Sequence, residues 1–168
     1  MTGAVRSYAV TAVAFEALAA RDLAALGALS VTPDQEEFGG SFDASLADWR
    51  TSDPRCLLGL AFLRDDTPIG LVLLKRPPLS PDWVARDAVS LHGFKIATPY
   101  QGGGLGRKAL KCAVETVSRH WPDARRLCLA VDAGNAAALA LYRGSGMQDS
   151  GAAHQGRIGV EYRLSLTL

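Results

Sequence analysis

The chain contains little cysteine, and its three cysteines are odd in number and widely spaced: Cys56, Cys112 and Cys128. Such a set forms neither a disulfide framework nor a zinc site. We therefore expect no bound metal and a reducing compartment, the cytoplasm. Cys112 and Cys128 fall in apolar periodic segments, which predicts that both are small core residues.

Excess charge and long apolar runs are lacking as well. The formal net charge of +1 argues against nucleic acid or a membrane surface as a partner, because both attract a strong basic excess. No apolar run approaches the ~20 residues of a membrane span, and the N-terminal segment MTGAVRSYAV lacks the pattern of a signal peptide. With 168 residues, 48% of them hydrophobic and 21% charged, residues 1–168 are predicted to form a single domain.

Glycine, in contrast, is concentrated in residues 101–106, QGGGLG, between an extended apolar segment and a helix. Apolar residues at helical spacing indicate that helix, and Pro122 ends it. Glycines leave the backbone uncovered, and the N–H groups of a helix's first turn have no partner within the helix. Together with the helix dipole they favour a phosphate, and three cations follow closely: Arg107, Lys108 and Lys111.

Several kinds of loop could use these glycines. A plain flexible loop is one alternative. Gly104, Gly106 and Ala109 also fit the dinucleotide fingerprint, which would suit a nucleotide-dependent oxidoreductase. That fingerprint normally follows the first strand and is followed by an acid about 20 residues later, whereas this motif lies past mid-chain and Arg125 and Arg126 occupy that distance. A Walker loop is excluded because no Gly-Lys-Ser/Thr follows at the required spacing.

Two segments in the second half of the chain resemble the GNAT superfamily of N-acetyltransferases. One is the Gln-x-x-Gly-x-Gly of residues 101–106, and the other is residues 135–147, NAAALALYRGSGM, with Met147 in place of an aromatic residue. The resemblance implies acetyl-CoA as cosubstrate, with its pyrophosphate on the glycine loop and its pantetheine arm along an earlier strand. The cofactor-binding residues implied are Phe94, Lys95, Ile96, Gln101, Gly102, Gly103, Gly104, Leu105, Gly106, Arg107, Asn135 and Tyr142.

The order of elements predicts an α/β fold with a mixed sheet and helices on both faces. Strands are expected within residues 8–13, 56–63, 69–74, 84–97, 126–131, 147–152 and 159–166. Helices are expected over residues 15–29, 41–49, 107–121 and 136–143, with a capped turn at Thr32, Pro33 and Gln35. The resemblance implies a GNAT-like, mostly antiparallel twisted sheet of six or seven strands, whose central strands splay apart around the pantetheine.

The chemistry implied is attack of an amine on the thioester carbonyl. Such an amine has a pKa near ~10.4, so the site must remove a proton and supply one to the departing thiolate. A backbone N–H of the splayed strand can stabilise the carbonyl oxygen. The resemblance assigns the proton donor to Tyr142. The base stays open among Glu37, Glu36, His92, Asp87 and an ordered water.

The acceptor is predicted to be a small primary amine. Val31, Gln35 and Phe38 resemble the early segment of spermine/spermidine-type acetyltransferases within the superfamily, which favours a polyamine. The nearby acids Asp34, Glu36 and Glu37 either line a mouth for a cation or form a solvated helix start. Protein N-termini, lysine side chains, aminoglycosides and amino acids remain alternatives, as does a non-catalytic coenzyme A-binding module. The resemblance also implies a homodimer.

Overall fold

A single twisted sheet organises the chain in the computed structural model, which describes residues 8–168. Its seven strands stand in the order β1-β2-β3-β4-β5-β7-β6, and only the β4–β5 pair is parallel. The predicted mixed, mostly antiparallel sheet is confirmed. The strands are β1 Val10–Ala14, β2 Leu57–Arg64, β3 Thr67–Lys75, β4 Ala88–Ile96, β5 Arg126–Asp132, β6 Gln148–Gln155 and β7 Val160–Thr167.

Within residues 8–168, five α-helices cover both faces of this sheet, as predicted. They are α1 Ala20–Gly27, α2 Pro33–Gly39, α3 Phe42–Thr51, α4 Leu105–His120 and α5 Ala136–Gly144. Helices α4 and α5 pack on one face, where Leu110, Ala113 and Val117 enter the larger core. Helices α1 and α3 pack on the other face through Leu26, Phe42 and Leu46. Strands β2 and β3 are therefore buried on both sides, which explains their continuous apolar sequences.

The segment before β2 differs from the prediction. One helix over residues 15–29 is wrong, because a 3-10 turn at Phe15–Ala17 comes first and α1 begins only at Ala20. Phe15 is fully buried against Gly59, where an added Cβ would lie 2.2 Å from its ring. The predicted cap at Thr32 is confirmed: its hydroxyl accepts the N–H of Gln35, and the Gln35 side chain accepts the N–H of Thr32. This capping box starts a full helix, α2, rather than a turn.

The cysteines meet the expectation only in part. Cys128 is buried, whereas Cys112 is half-buried on α4 and donates its thiol to the carbonyl of Val10 at 3.3 Å. The prediction that both are core residues is therefore wrong for Cys112. Its position on α4 faces the edge strand β1 instead of the centre of the sheet.

Two irregularities of the central strands create the space in which a site can form. Strands β4 and β5 pair only through residues 88–90 and 126–128, and then diverge. Opposite β3, strand β4 carries one extra residue between His92 and Lys95, and Gly93 there has a φ of +60°. Such a bulge leaves backbone groups outside the ladder and bends the strand. The sheet is consequently open between the ends of β4 and β5, as the splayed strands of the sequence-based prediction require.

Candidate functional site

The gap between β4 and β5 opens into a cavity of about 610 Å³. Its lining combines residues 90–96 of β4 and 129–132 of β5 with parts of α2, α5 and the start of α4. A volume of this size suits an organic ligand. The cavity exists because the two strands separate, and the sheet supplies two of its walls.

The glycine loop forms one end of this cavity. Gly102 and Gly104 have φ angles of +84° and +74°, a region that other residues enter only with strain. A Cβ added at Gly102, Gly103 or Gly104 would meet nothing within 4 Å, so the backbone there faces open space. Among residues 8–168, no side chain caps the start of α4. The amides of the first turn are left to bind an anion.

Gln101 fixes this loop to its surroundings. Its side-chain amide donates to the carbonyl of Ile96 at 2.7 Å and to the Gln35 side chain at 3.0 Å. Gln35 donates back to Gln101 at 3.1 Å. The glutamine thus ties the glycine loop to the end of β4 and to α2, which explains why this residue type precedes the glycines.

The predicted cofactor residues are brought together only in part. Eight of them line the cavity: Phe94, Lys95, Ile96, Gln101, Gly102, Gly106, Asn135 and Tyr142. Gly103, Gly104 and Leu105 lie beside it, and Leu105 is buried in the core under α4. Arg107 points elsewhere: its guanidinium lies against Gly144 at the end of α5 and borders a separate groove of about 390 Å³.

Two of these residues belong to α5. Asn135 caps the helix by accepting the N–H of Ala138 at 3.2 Å, and it also lines the cavity. Tyr142 is only 6% exposed, and burial raises the pKa of its hydroxyl well above the ordinary value of 10. Its ring centroid lies 6.3 Å from that of Phe94. Within residues 8–168 its hydroxyl has no hydrogen-bond partner, so a protonated phenol is available to a ligand.

His92 lines the cavity on the opposite side of β4 from Phe94. Its Nε2 lies 2.7 Å from the hydroxyl of Ser90, which also lies 3.3 Å from the carbonyl of Lys75. Burial and, to a smaller extent, the nearby Lys75 charge lower the pKa of His92 to about 4, against the opposing effect of Asp48. The imidazole is therefore neutral at pH 7. When Ser90 donates to Lys75, Nε2 donates to Ser90 and Nδ1 is left as the acceptor.

Lys95 brings a buried amine into the same region. It is 6% exposed, and its Nζ donates to the Ser45 hydroxyl at 2.9 Å and to the Ser41 carbonyl at 3.3 Å. Burial lowers the pKa of Lys95 to about 8, although Glu36 opposes the shift. Sequence reasoning selected Lys95 only for its backbone. The bulge at Gly93 could not be foreseen, and it is this bulge that turns the Lys95 side chain toward α3.

The acidic candidates for a base lie outside the lining. Glu36, Glu37 and Asp87 are exposed, and none of them borders the cavity. Helix α2 instead presents Gln35, Phe38 and Gly39 to it, and Val31, just before the helix, also lines it. The carboxylates that do line the cavity are Asp132 and Glu161, which sequence reasoning missed. The available signal was an acid at the end of a strand beside the gap.

A sequence profile of the acetyltransferase (GNAT) family matches residues 21–147. The match spans most of the chain, which therefore belongs to this family of acetyltransferases, as the sequence motifs implied. Acetyl-CoA is the family's cosubstrate. No curated protein matches the chain at a significant level.

Solved structures share the fold at low sequence identity. Aminoglycoside acetyltransferase AAC(6')-Ib in complex with coenzyme A superposes with a TM-score of 0.76, at 17% identity over 95% of each chain. Spermidine N-acetyltransferase from Vibrio cholerae, in complex with coenzyme A and spermine, gives 0.70 at 20% identity over 94% of this chain and 95% of the other. The GNAT domain of S. lividans PAT gives 0.68 at 18% identity, covering 94% and 89%. In residues 8–168, no helix is long and apolar enough to cross a membrane.

Proposed function

We propose that residues 1–168 act as one domain that transfers the acetyl group of acetyl-CoA to a primary amine of a small molecule. The observation that carries this proposal is the opening between β4 and β5, which has the glycine loop at one end and the Tyr142 hydroxyl in its wall. A ligand that spans both features must carry a phosphate at one end and a reacting group at the other. Acetyl-CoA has this form.

The cosubstrate is placed by backbone groups. The uncapped amides at the start of α4, with Gly102 and Gly104 in left-handed conformations, offer donors to the diphosphate. Among residues 8–168, strand β4 has no partner strand on its β5 side beyond residue 90, so its backbone groups on that side can pair with the amides of pantetheine. The carbonyl of Ile96 already accepts a hydrogen bond from Gln101. Arg107 contributes only through long-range charge, because its guanidinium is packed against Gly144.

The reaction is a direct transfer. The amine nitrogen attacks the thioester carbon, the C–S bond breaks with its electron pair on sulfur, and the amine loses a proton. A backbone N–H near the bulge at Gly93 stabilises the oxygen as it gains charge. Tyr142 keeps its proton over the physiological range, because burial raises its pKa. It donates that proton toward the leaving sulfur.

His92 is the cavity-lining candidate for accepting the amine's proton. Its pKa of about 4 leaves it neutral but makes it a weak base, so we propose that it acts through an ordered water rather than alone. Glu37, Glu36 and Asp87 stay candidates only for a longer relay, since none of them lines the cavity.

The favoured acceptor is a polyamine. Two carboxylates, Asp132 and Glu161, line the cavity. Lys95 also lines it, but its charged amine is already hydrogen-bonded to Ser41 and Ser45. The similar solved structures include one with spermine and others with aminoglycosides, and all of these ligands carry several amines. Aminoglycosides therefore form the second acceptor class to test.

A thiol-release assay with acetyl-CoA and an amine panel tests the proposal. The panel should hold polyamines, aminoglycosides, amino acids and a lysine peptide. Thiol release with a polyamine supports the proposal. Thermal stabilisation by acetyl-CoA without thiol release from any amine would identify a coenzyme A-binding module instead. A purified protein carrying a bound dinucleotide, with no affinity for coenzyme A, would favour the oxidoreductase.

Compartment and assembly complete the proposal. The three free cysteines suit a reducing compartment, and we propose the cytoplasm. A homodimer is proposed from the family resemblance. Light scattering coupled to size-exclusion chromatography measures the assembly directly.

A further inference from the structure

Two carboxylates face each other across neighbouring strands in the wall of the cavity. Asp132 ends β5, and its partner in the antiparallel register of β7 is Glu161. Directly paired residues point to the same face of a sheet, and both side chains line the cavity. Like charges in this arrangement destabilise a sheet, so their presence in a cavity wall needs a compensating charge.

The surrounding glycines leave room for these carboxylates. Asp132 Oδ1 accepts the N–H of Gly134 at 2.7 Å. A Cβ added at Gly156 would lie 2.6 Å from Glu161 Oε2, and one at Gly159 would lie 3.6 Å from Asp132 Oδ2. Both acids therefore sit under the turn between β6 and β7. That turn is anchored to α2, because Arg157 donates to the carbonyl of Glu37.

Among residues 8–168, the side chains around the pair neutralise it only in part. Arg163 Nε lies 4.0 Å from Glu161 Oε1 while its guanidinium stacks on Trp83 at 4.5 Å. In residues 8–168, no lysine or arginine lies within 4 Å of the Asp132 carboxylate. The cavity's own cation, Lys95, is bonded to Ser41 and Ser45. One full negative charge is consequently left to a ligand.

A separate feature shows that this cavity is built for a polar ligand. The Tyr142 side chain is only 6% exposed and lines the same cavity. Among residues 8–168, its hydroxyl has no hydrogen-bond partner. The hydroxyl is not among the fully buried atoms that lack a partner, so it is accessible from the cavity and open to a ligand. The arrangement is favourable when a bound molecule supplies the missing partner.

We propose that Asp132 and Glu161 bind a second cationic group of the acceptor, so that this enzyme selects molecules with at least two amines. The inference rests on the proposed acetyl transfer, because one amine reacts near Tyr142 while another binds the carboxylate pair. These residues determine specificity and take no part in bond making.

The test compares acceptors that differ by one charge. Spermidine and 1,4-diaminobutane carry a second cationic amine. n-Butylamine, which has the same number of carbons as 1,4-diaminobutane, lacks it. The variants are Asp132→Asn and Glu161→Gln, and the matched controls are the exposed Asp66→Asn and Glu115→Gln. We expect each site variant to raise KM for the diamines about tenfold. Their KM for n-butylamine and for acetyl-CoA should stay unchanged, as should all constants of the controls.

Binding is measured separately from turnover, so that the two proposals fail independently. Calorimetry of spermidine with protein loaded with coenzyme A needs no reaction. Weaker spermidine binding in both variants supports the inference, even if no amine is acetylated. A lack of acetylation would overturn only the proposed function. Equal spermidine affinity of wild type and both folded variants overturns the inference. Preferential acetylation of amino acids, whose carboxylate would pair with Lys95, overturns it as well.

Discussion

Replacing Tyr142 by phenylalanine removes one hydroxyl and leaves the ring in place. The ring packs in the core near Phe94, with centroids 6.3 Å apart, and that packing survives the change. The hydroxyl forms no hydrogen bond within residues 8–168, so the folded protein loses no internal bond. The hydroxyl is accessible from the cavity and is not a fully buried unpaired group, so its removal relieves no large desolvation cost. We therefore expect the free energy of unfolding to stay level.

Turnover, in contrast, should fall in Tyr142→Phe. A positioned proton donor contributes about 10²–10⁴ in rate, or roughly 3–5 kcal/mol at 1.36 kcal/mol for each factor of ten. We expect kcat for thiol release to fall within that range, with the dissociation constant for acetyl-CoA unchanged. Because burial raises the pKa of Tyr142, the wild-type profile should show no loss of activity from this group as the pH rises to 9.

The assay follows thiol release at saturating acetyl-CoA, alongside thermal unfolding of the same samples. Tyr162→Phe is the matched control, since Tyr162 lies on β7 outside the cavity lining. Unchanged turnover in Tyr142→Phe would refute the role of the hydroxyl. A clear loss of stability would show that the hydroxyl has a partner in the folded protein and would refute the reasoning from burial.

Three further expectations concern the loop, the histidine and the cosubstrate. Gly104→Ala should destabilise the protein by about 1–2 kcal/mol because of its positive φ. Gly103→Ala should leave stability unchanged yet raise KM for acetyl-CoA, since its Cβ enters the open space that the ligand needs. Urea unfolding measures the stability of both variants, and steady-state kinetics measures their KM for acetyl-CoA. Equal changes of stability and of KM in the two variants would contradict the account of the loop. His92 has a folded pKa of about 4, below its unfolded value of 6.5, so the unfolded state binds the proton first and stability falls as the pH drops from 6.5 to 4. The loss is up to roughly 3 kcal/mol. Urea titrations at several pH values should show that His92→Gln loses less stability between pH 6.5 and 4. If the variant's stability depends on pH as steeply as that of the wild type, His92 is not the source of this pH dependence. Acetyl-CoA at about 100 times its dissociation constant should stabilise the fold by about 2.7 kcal/mol, and a thermal shift that is absent would refute binding.

Much of the fold could be predicted because local signals agree with the tertiary structure. Continuous apolar runs predicted β2 and β3, and Pro122 correctly marked the end of α4 at His120. The capping box at Thr32 was recognised from residue types alone. The break at residues 15–17 was not, because alanine-rich sequence favours helix locally while the burial of Phe15 against Gly59 depends on a distant strand.

The site was harder to predict than the fold. A backbone feature carried by a short motif was found, namely the glycine loop at the start of α4. Side chains that enter the cavity through non-local geometry were not: Asp132 and Glu161 meet only through the β5–β7 register. Acids selected from the sequence, such as Glu37, have the charge that an amine site requires, but on α2 they are exposed to solvent.

The separation of β4 from β5 links this fold to its proposed chemistry. Pairing along the full length of both strands would have stabilised the sheet, yet pairing stops after three residue pairs. The bulge at Gly93 bends β4 at the level of the cavity, and a Cβ there would crowd the Gly39 carbonyl and the Lys95 amine at 3.4 Å. Backbone groups left without a strand partner need either water or a ligand with amides of its own. Pantetheine carries such amides, so we expect its binding to complete the ladder that the fold leaves open and to bring the thioester beside this part of β4.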